Sequence, residues 1–185
     1  MRQRLLDLLA ERSFRVGEFT LASGAKSRYY VDARTTTLSA DGQSLIGTLG
    51  LAALDDAGVR PDAVGGLTMG ADPIACAIAH RSALDGRPID AFVVRKEPKG
   101  HGRRSQIEGR LEAGQAVVVV EDVITTGGSA LKACSAVKAA GAQVLAILAL
   151  VDREEGGREA LEAEGYRVIS LVPLSELRAK IGDIT

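Results

Sequence analysis

Residues 117–120 are four consecutive valines that run directly into Glu121-Asp122-Val123-Ile124-Thr125-Thr126-Gly127-Gly128-Ser129. An unbroken β-branched run belongs to a strand buried on both faces, the habit of a parallel sheet. A helical pattern over 129–140 follows, ended by Gly141. A strand that empties through acids, hydroxyls and glycines into a helix confines the chain to the open α/β sheets. Such sheets bind ligands beyond the carboxyl ends of their strands.

The alternation recurs on both sides of this unit. Residues 64–68 read as a strand, after which Asp72 is expected to cap a helix with Pro73 at its first position, running to Ala83. Further strands are expected over 89–95, 115–120, 143–151 and 166–171, with a helix over 158–163. Repeated strand–helix–strand units imply α/β architecture, a central parallel sheet flanked by helices. Ahead of it, Leu5, Leu6, Leu8 and Leu9 form the stripe of an amphipathic helix that ends before Phe14. Residues 19–21 and 29–32 read as short strands around the turn Ser23-Gly24-Ala25-Lys26. Asp41 is expected to cap a second helix through Leu45, Ile46, Leu49 and Leu54, stopping near Gly58. The N-terminal third and the C-terminal tail do not share the alternation and are expected to form a cap beside the sheet. At 185 residues the chain suits one domain, 1–185.

Aromatic residues make up only 3% of the chain and Trp is absent, so the core must be Ala, Val, Leu and Ile. With 23 basic and 24 acidic residues the net charge is −1, which gives no global signature for nucleic acid or an anionic membrane. The longest apolar run, 144–151, falls well short of the roughly 20 residues of a spanning helix. Asp7 and Glu11 interrupt any leader-like stretch, so a cytoplasmic location is expected. Cys76 and Cys134 lie far apart among small apolar residues and read as two buried thiols in a reducing compartment.

The chemistry concentrates after the valine run. Gly127 and Gly128 let backbone N–H groups approach an anion, the helix start adds unsatisfied donors, and Thr125, Thr126 and Ser129 add hydroxyls. This is a phosphate cradle, but neither a Walker A loop nor a dinucleotide turn. Glu121 and Asp122 would repel a phosphate unless they serve another group. Ribose hydroxyls and a bridging Mg²⁺ are the natural partners, so a sugar phosphate is the expected ligand. Thr68-Met69-Gly70-Ala71-Asp72-Pro73 is a second strand-to-helix turn. The segment 97–109, Glu-Pro-Lys-Gly-His-Gly-Arg-Arg-Ser-Gln-Ile-Glu-Gly, has almost no apolar anchors and reads as a long functional loop hinged at Gly100, Gly102 and Gly109.

The segment 117–129 resembles the signature of the type I phosphoribosyltransferases, which bind 5-phosphoribosyl-1-pyrophosphate (PRPP). The wider chain is similar to the members of that family that act on orotate. The likeness includes Phe19-Thr-Leu-Ala-Ser-Gly-Ala-Lys26-Ser-Arg-Tyr-Tyr30, then Val94-Arg95-Lys96-Glu97 with Lys99-Gly-His101-Gly, and Val151-Asp152-Arg153-Glu154. It implies a PRPP-binding core over about 62–171, with about 1–60 and the C-terminal tail forming a hood. It implies transfer of ribose 5-phosphate from PRPP to orotate, with Mg²⁺ held through PRPP and water rather than by direct protein ligands. Lys26, Arg95, Lys96, Lys99, His101 and residues 121–129 (Glu121, Asp122, Val123, Ile124, Thr125, Thr126, Gly127, Gly128 and Ser129) would bind PRPP. Thr68, Gly70, Ala71 and Asp72 would meet the pyrophosphate. Lys99, His101 and Lys96 would act in catalysis, and Arg153 with Thr125 would hold orotate. The small molecules PRPP and orotate are thus the expected partners, without nucleic acid or membrane, in a homodimer that shares loop residues across subunits. A phosphoribosyltransferase for another base, or a PRPP-binding regulator without activity, remain the alternatives.

Overall fold

The computed structural model describes residues 1–20, 26–97 and 106–182. Strand β1 (Phe14–Thr20) pairs antiparallel with β2 (Lys26–Val31), and β3 (Ala63–Leu67), β4 (Asp90–Val94), β5 (Ile107–Gly109), β6 (Ala116–Ile124), β7 (Gln143–Asp152) and β8 (Val168–Pro173) form a six-stranded sheet. Helices are α1 (Arg2–Leu8), continued by a π-helical turn to Ser13, α2 (Arg34–Thr37), α3 (Ala40–Asp56), α4 (Ala71–Leu84), α5 (Gly128–Ala139), α6 (Gly157–Ala163) and α7 (Leu174–Ile181).

The sheet order is β5-β4-β3-β6-β7-β8, all parallel except β5. From β3 the chain crosses outward to β4, then returns to the other side of β3 as β6. The order reverses between β3 and β6, and this switch point opens a crevice at the strands' carboxyl ends.

Period-two alternation splits the core between the two faces. Val118, Val120, Ala146, Leu148 and Leu150 pack with Ile46 and Leu54 of α3 and Ile74 and Ile78 of α4. Val117, Val119, Ile147 and Ala149 pack with Ala133, Cys134 and Val137 of α5 and Leu161 of α6. Small and branched aliphatic side chains fill both layers, and Phe92 is the only aromatic fully buried among the described residues.

The N-terminal segment and α7 meet one another. Arg2 and Glu176 form a two-bond ion pair at 2.7 Å, Leu177 is buried with Leu5 and Leu9, and the Arg178 guanidinium lies 4.9 Å from the Tyr29 ring centre.

Several expectations are corrected. Ser39, not Asp41, caps α3: its hydroxyl accepts from the Gly42 N–H, while Asp41 lies in the first turn and pairs with Arg4. Helix α4 starts one residue before Asp72, at Ala71, so Pro73 occupies its third position and Asp72 accepts a hydrogen bond from the Thr68 hydroxyl at 2.7 Å. The strands around the first turn are longer than 19–21 and 29–32, because pairing extends from Thr20 with Lys26 to Phe14 with Val31; residues 21–25 of that turn lie outside the described residues. The segment 97–109 is not loop to its end. Residues 107–109 pair with β4 as an antiparallel edge, Ile107 opposite Val94. Cys134 is buried but Cys76 is exposed, because α4 buries the stripe Ala71, Ile74, Ala75, Ala77, Ile78 and Ser82 and turns Cys76 outward.

Candidate active site

Strand β6 does not stop at Val120 but runs to Ile124, carrying two acids into the crevice. Glu121 sits opposite Ala149 and is only 7% exposed. Burial, and then the charge of neighbouring Asp122, push its carboxyl up to about 9, so it holds a proton at neutral pH. Its Oε2 is buried without a hydrogen-bond partner. Asp122, whose side chain lies near that of Glu121, is half-buried. It stands against Gly70 so closely that a Cβ there would fall 2.5 Å from the carboxylate.

Beyond β6 the chain turns sharply. Gly127 has φ +80°, a conformation that disfavours any side chain, and a Cβ on it would lie 2.9 Å from Leu161 Cγ and 3.1 Å from the Gly157 carbonyl oxygen. Helix α5 starts at the next residue, so the unpaired N–H groups of its first turn meet the hydroxyls of Thr125, Thr126 and Ser129 at one place.

Residues 121–129 line a cavity of about 380 Å³ together with Tyr30, Val31, Asp32, Arg34 and Arg153. Arg153 follows the end of β7, where its N–H donates to the Ile124 carbonyl at 3.0 Å. Its side chain is 4% exposed. Nη2 donates to Glu155 at 2.7 Å and to the Ser27 hydroxyl at 3.1 Å, while Nε has no partner. The ion pair with Glu155 leaves Nε, itself buried in the lining, unpaired. Among the described residues, four buried side-chain polar atoms lack partners: Glu121 Oε2, Arg153 Nε, Asp72 Oδ1 and Thr37 Oγ1. Glu121 and Arg153 line the cavity and Asp72 opens the neighbouring helix, so the deficit gathers where a polar ligand would relieve it.

Of the other expected site residues, Thr68 and Gly70 lie between β3 and α4 and Ala71 and Asp72 begin α4, with Gly70 against Asp122. The peptide between Thr68 and Met69 is cis. Arg95 follows β4 half-buried, paired with Glu108 of β5 at 3.2 Å, and Lys96 beside it is exposed. Lys26 opens β2 and borders a separate cavity with Glu18, Phe19, Ser27 and Arg28, so it is not gathered with the main lining. Lys99 and His101, with Gly100 and Gly102, lie outside the described residues. Tyr30, Asp32 and Arg34 line the cavity but were not singled out as site residues from the sequence. The available signal was an acid and a base two residues apart, immediately after a strand.

The crevice at the switch point, with its anion-binding turn and paired acids, defines a transferase of the phosphoribosyl class, and the family model described as phosphoribosyl transferase domain matches residues 44–174. The chain is 52% identical to the orotate phosphoribosyltransferase of Aquifex aeolicus (strain VF5) over 95% of its own length and 97% of that protein's. It is 47% identical to that of Rhodopirellula baltica, covering 93% and 91%. A crystal structure of the Mycobacterium tuberculosis H37Rv enzyme in complex with 5-phospho-α-D-ribosyl 1-diphosphate matches it with a TM-score of 0.80 at 45% identity, covering 95% and 98%. The chain belongs to the orotate phosphoribosyltransferases.

Proposed function

We propose that this chain transfers the ribose 5-phosphate group of PRPP to orotate, giving orotidine 5′-monophosphate and pyrophosphate, a step of pyrimidine nucleotide synthesis (EC 2.4.2.10). The 5′-phosphate rests in the turn of Thr125, Thr126, Gly127, Gly128 and Ser129, and Val123 and Ile124 carry the chain from the acids to that turn. Glu121 and Asp122 take the ribose diol. Arg153, with Thr125, receives the planar orotate, since a guanidinium grips a carboxylate in bidentate fashion.

In the reaction a ring nitrogen of orotate attacks the anomeric carbon as the bond to pyrophosphate breaks, so the protein supplies no nucleophile. Its contribution is to hold the two reactants in line and to answer developing charge. Thr68, Gly70, Ala71 and Asp72 border the leaving group. Arg95, Lys96, Lys99 and His101 bring positive charge to it as it departs, and Lys26 serves the base or the pyrophosphate. Cations that act on the departing group stabilise the transition state more than the ground state.

The donor set suits Mg²⁺. Asp122 is half-buried beside the partnerless oxygen of Glu121, and the two would meet the ribose hydroxyls and water around a Mg²⁺ held through PRPP rather than by direct protein ligands. Bound with PRPP, the cation would neutralise charge on the leaving pyrophosphate.

No helix among the described residues is long and apolar enough to cross a membrane. The reading places one domain, with the N-terminal segment and α7 as a hood over a PRPP-binding core, in the cytoplasm as a homodimer sharing loop residues. The observation that carries the functional reading is the meeting of an acid pair, a glycine-and-hydroxyl turn at a helix start and an arginine with an unpaired Nε in one cavity. Loss of orotate absorbance on mixing protein, PRPP and Mg²⁺ tests it. Uracil, adenine and hypoxanthine run alongside should leave PRPP unconsumed, and inertness toward orotate would overturn it.

A further inference from the structure

The described lining of the cavity holds two cationic side chains, Arg34 and Arg153. Arg153 is buried and committed to Glu155 and Ser27. Arg34 is not buried. Its backbone opens α2 on a fixed frame. The Thr35 hydroxyl lies 2.9 Å from both the Arg12 and Asp32 carbonyls, either of which can accept its proton, and the Thr36 hydroxyl lies 2.7 Å from that of Ser13. Asp32 then fixes the side chain from one edge: Nε donates to Oδ1 at 2.8 Å and Nη2 to Oδ2 at 2.9 Å. The other edge, with Nη1, has no partner among the described residues. A guanidinium clamped by a carboxylate on one edge and open on the other is preorganised for an anion.

Position decides which anion. Arg34 borders two openings. One is the main cavity, on whose floor the charge of Asp122 reaches it. The other is lined with Met69 of the 68–72 turn, and with Thr35, Leu38 and Ser39. It therefore stands between the ribose acids and the turn behind Gly70, the end of the site away from the Thr125–Ser129 cradle. That turn contributes Thr68, Met69, Gly70, Ala71 and Asp72, with no cation among them. The turn itself offers a departing group of several negative charges only an acid and neutral side chains, and Arg34 beside it is a cation held by the fold.

We infer that Arg34, oriented by Asp32, binds the pyrophosphate moiety of PRPP and supplies the positive charge that the 68–72 turn lacks. The inference rests on the reading of the cavity as a PRPP site and adds to it a specific contact.

Binding of each half of the substrate separates the two. Wild type, Arg34→Ala and Arg34→Lys would be titrated calorimetrically with pyrophosphate and with ribose 5-phosphate in magnesium-containing buffer, and assayed for PRPP and orotate turnover. Arg34→Ala should weaken pyrophosphate binding, and raise KM for PRPP, by about 10–100-fold, the range of a charged hydrogen bond. Ribose 5-phosphate affinity and KM for orotate should move less than about twofold. Arg34→Lys keeps the charge without the fork and should fall between. Unchanged pyrophosphate affinity, or equal loss for pyrophosphate and ribose 5-phosphate, would overturn the assignment. If Arg34→Ala does not fold, the same comparison is read from Arg34→Lys and Arg34→Gln. Wild type that fails to consume orotate would instead sink the functional reading, since pyrophosphate binding needs no orotate.

Discussion

Gly70 and Asp122 stand so close that the smallest side chain on Gly70 would put carbon 2.5 Å from the aspartate carboxylate. Gly70 itself has helical torsions, φ −64° and ψ −38°, which alanine adopts freely. The requirement for glycine is one of space. The atoms in the way end a flexible side chain, so Gly70→Ala should be accommodated by moving Asp122. The expected result is a melting temperature within a few degrees of wild type and a KM for PRPP raised at least about tenfold, since misplacement by an ångström can cost about a hundredfold. A variant with normal PRPP kinetics would show that Asp122 need not stand where it does.

Glu121 links the site to pH. Its carboxyl is raised from 4.5 to about 9 in the folded, ligand-free protein, by burial first and by Asp122 second. Between those values the folded state keeps a proton that the unfolded chain has released. Stability from this group therefore falls as pH rises from about 4.5 toward 9. Glu121→Gln removes the titration while keeping the shape. Urea denaturation at pH 6 and pH 8 should show the variant gaining on wild type by about 1–3 kcal/mol across that interval, at up to about 1.4 kcal/mol per pH unit. A gap that stays constant would mean that Glu121 is already ionised in the free protein.

Arg153 should control one substrate and not the other. Arg153→Ala removes the guanidinium and leaves Glu155, which is accessible to water and can solvate. KM for orotate is expected to rise about 10–100-fold, with KM for PRPP changed less than about threefold. Arg153→Lys should recover little, because an ammonium cannot reproduce the planar fork between Ser27 and Glu155. Equal effects on both substrates in initial-rate measurements would place Arg153 in a general structural role.

The elements that were readable from residues alone are those whose identity is local. The valine run of β6, the leucine stripe of α1 and the glycine stop after α5 declare themselves by composition, and the acids beside Gly127 and Gly128 declare a sugar phosphate. Edge strand β5 was hidden because its three residues owe their conformation to pairing with β4 rather than to any period of their own. Asp72 looked like a cap, yet Gly70 takes helical torsions and Thr68 claims the carboxylate, so the helix begins earlier. Tyr30, Asp32 and Arg34 are not marked as cavity residues by any local pattern, because only the hairpin and α2 swing them across the carboxyl ends of distant strands. Local pattern identified the binding turn, and tertiary placement was needed to find what faces it.

Asp152 and Arg158 fix the loop that presents Arg153. Asp152 is 3% exposed; its Oδ2 accepts from Arg158 Nε at 2.8 Å and its Oδ1 from the Glu154 N–H at 2.9 Å. Arg158 also donates to the Val168 carbonyl and the Ser170 hydroxyl, tying the loop to β8. Glu154, with φ +56°, then reaches the Ser175 N–H at the start of α7. Arg158→Ala would strand a buried carboxylate, a change that typically costs about 3–5 kcal/mol. The expected result is a loss of that order in chemical denaturation together with a higher KM for orotate. Asp152→Asn with Arg158→Leu removes both charges and should recover most of the stability, while leaving orotate binding weak. If orotate KM recovers with stability, the network serves folding alone and does not position Arg153.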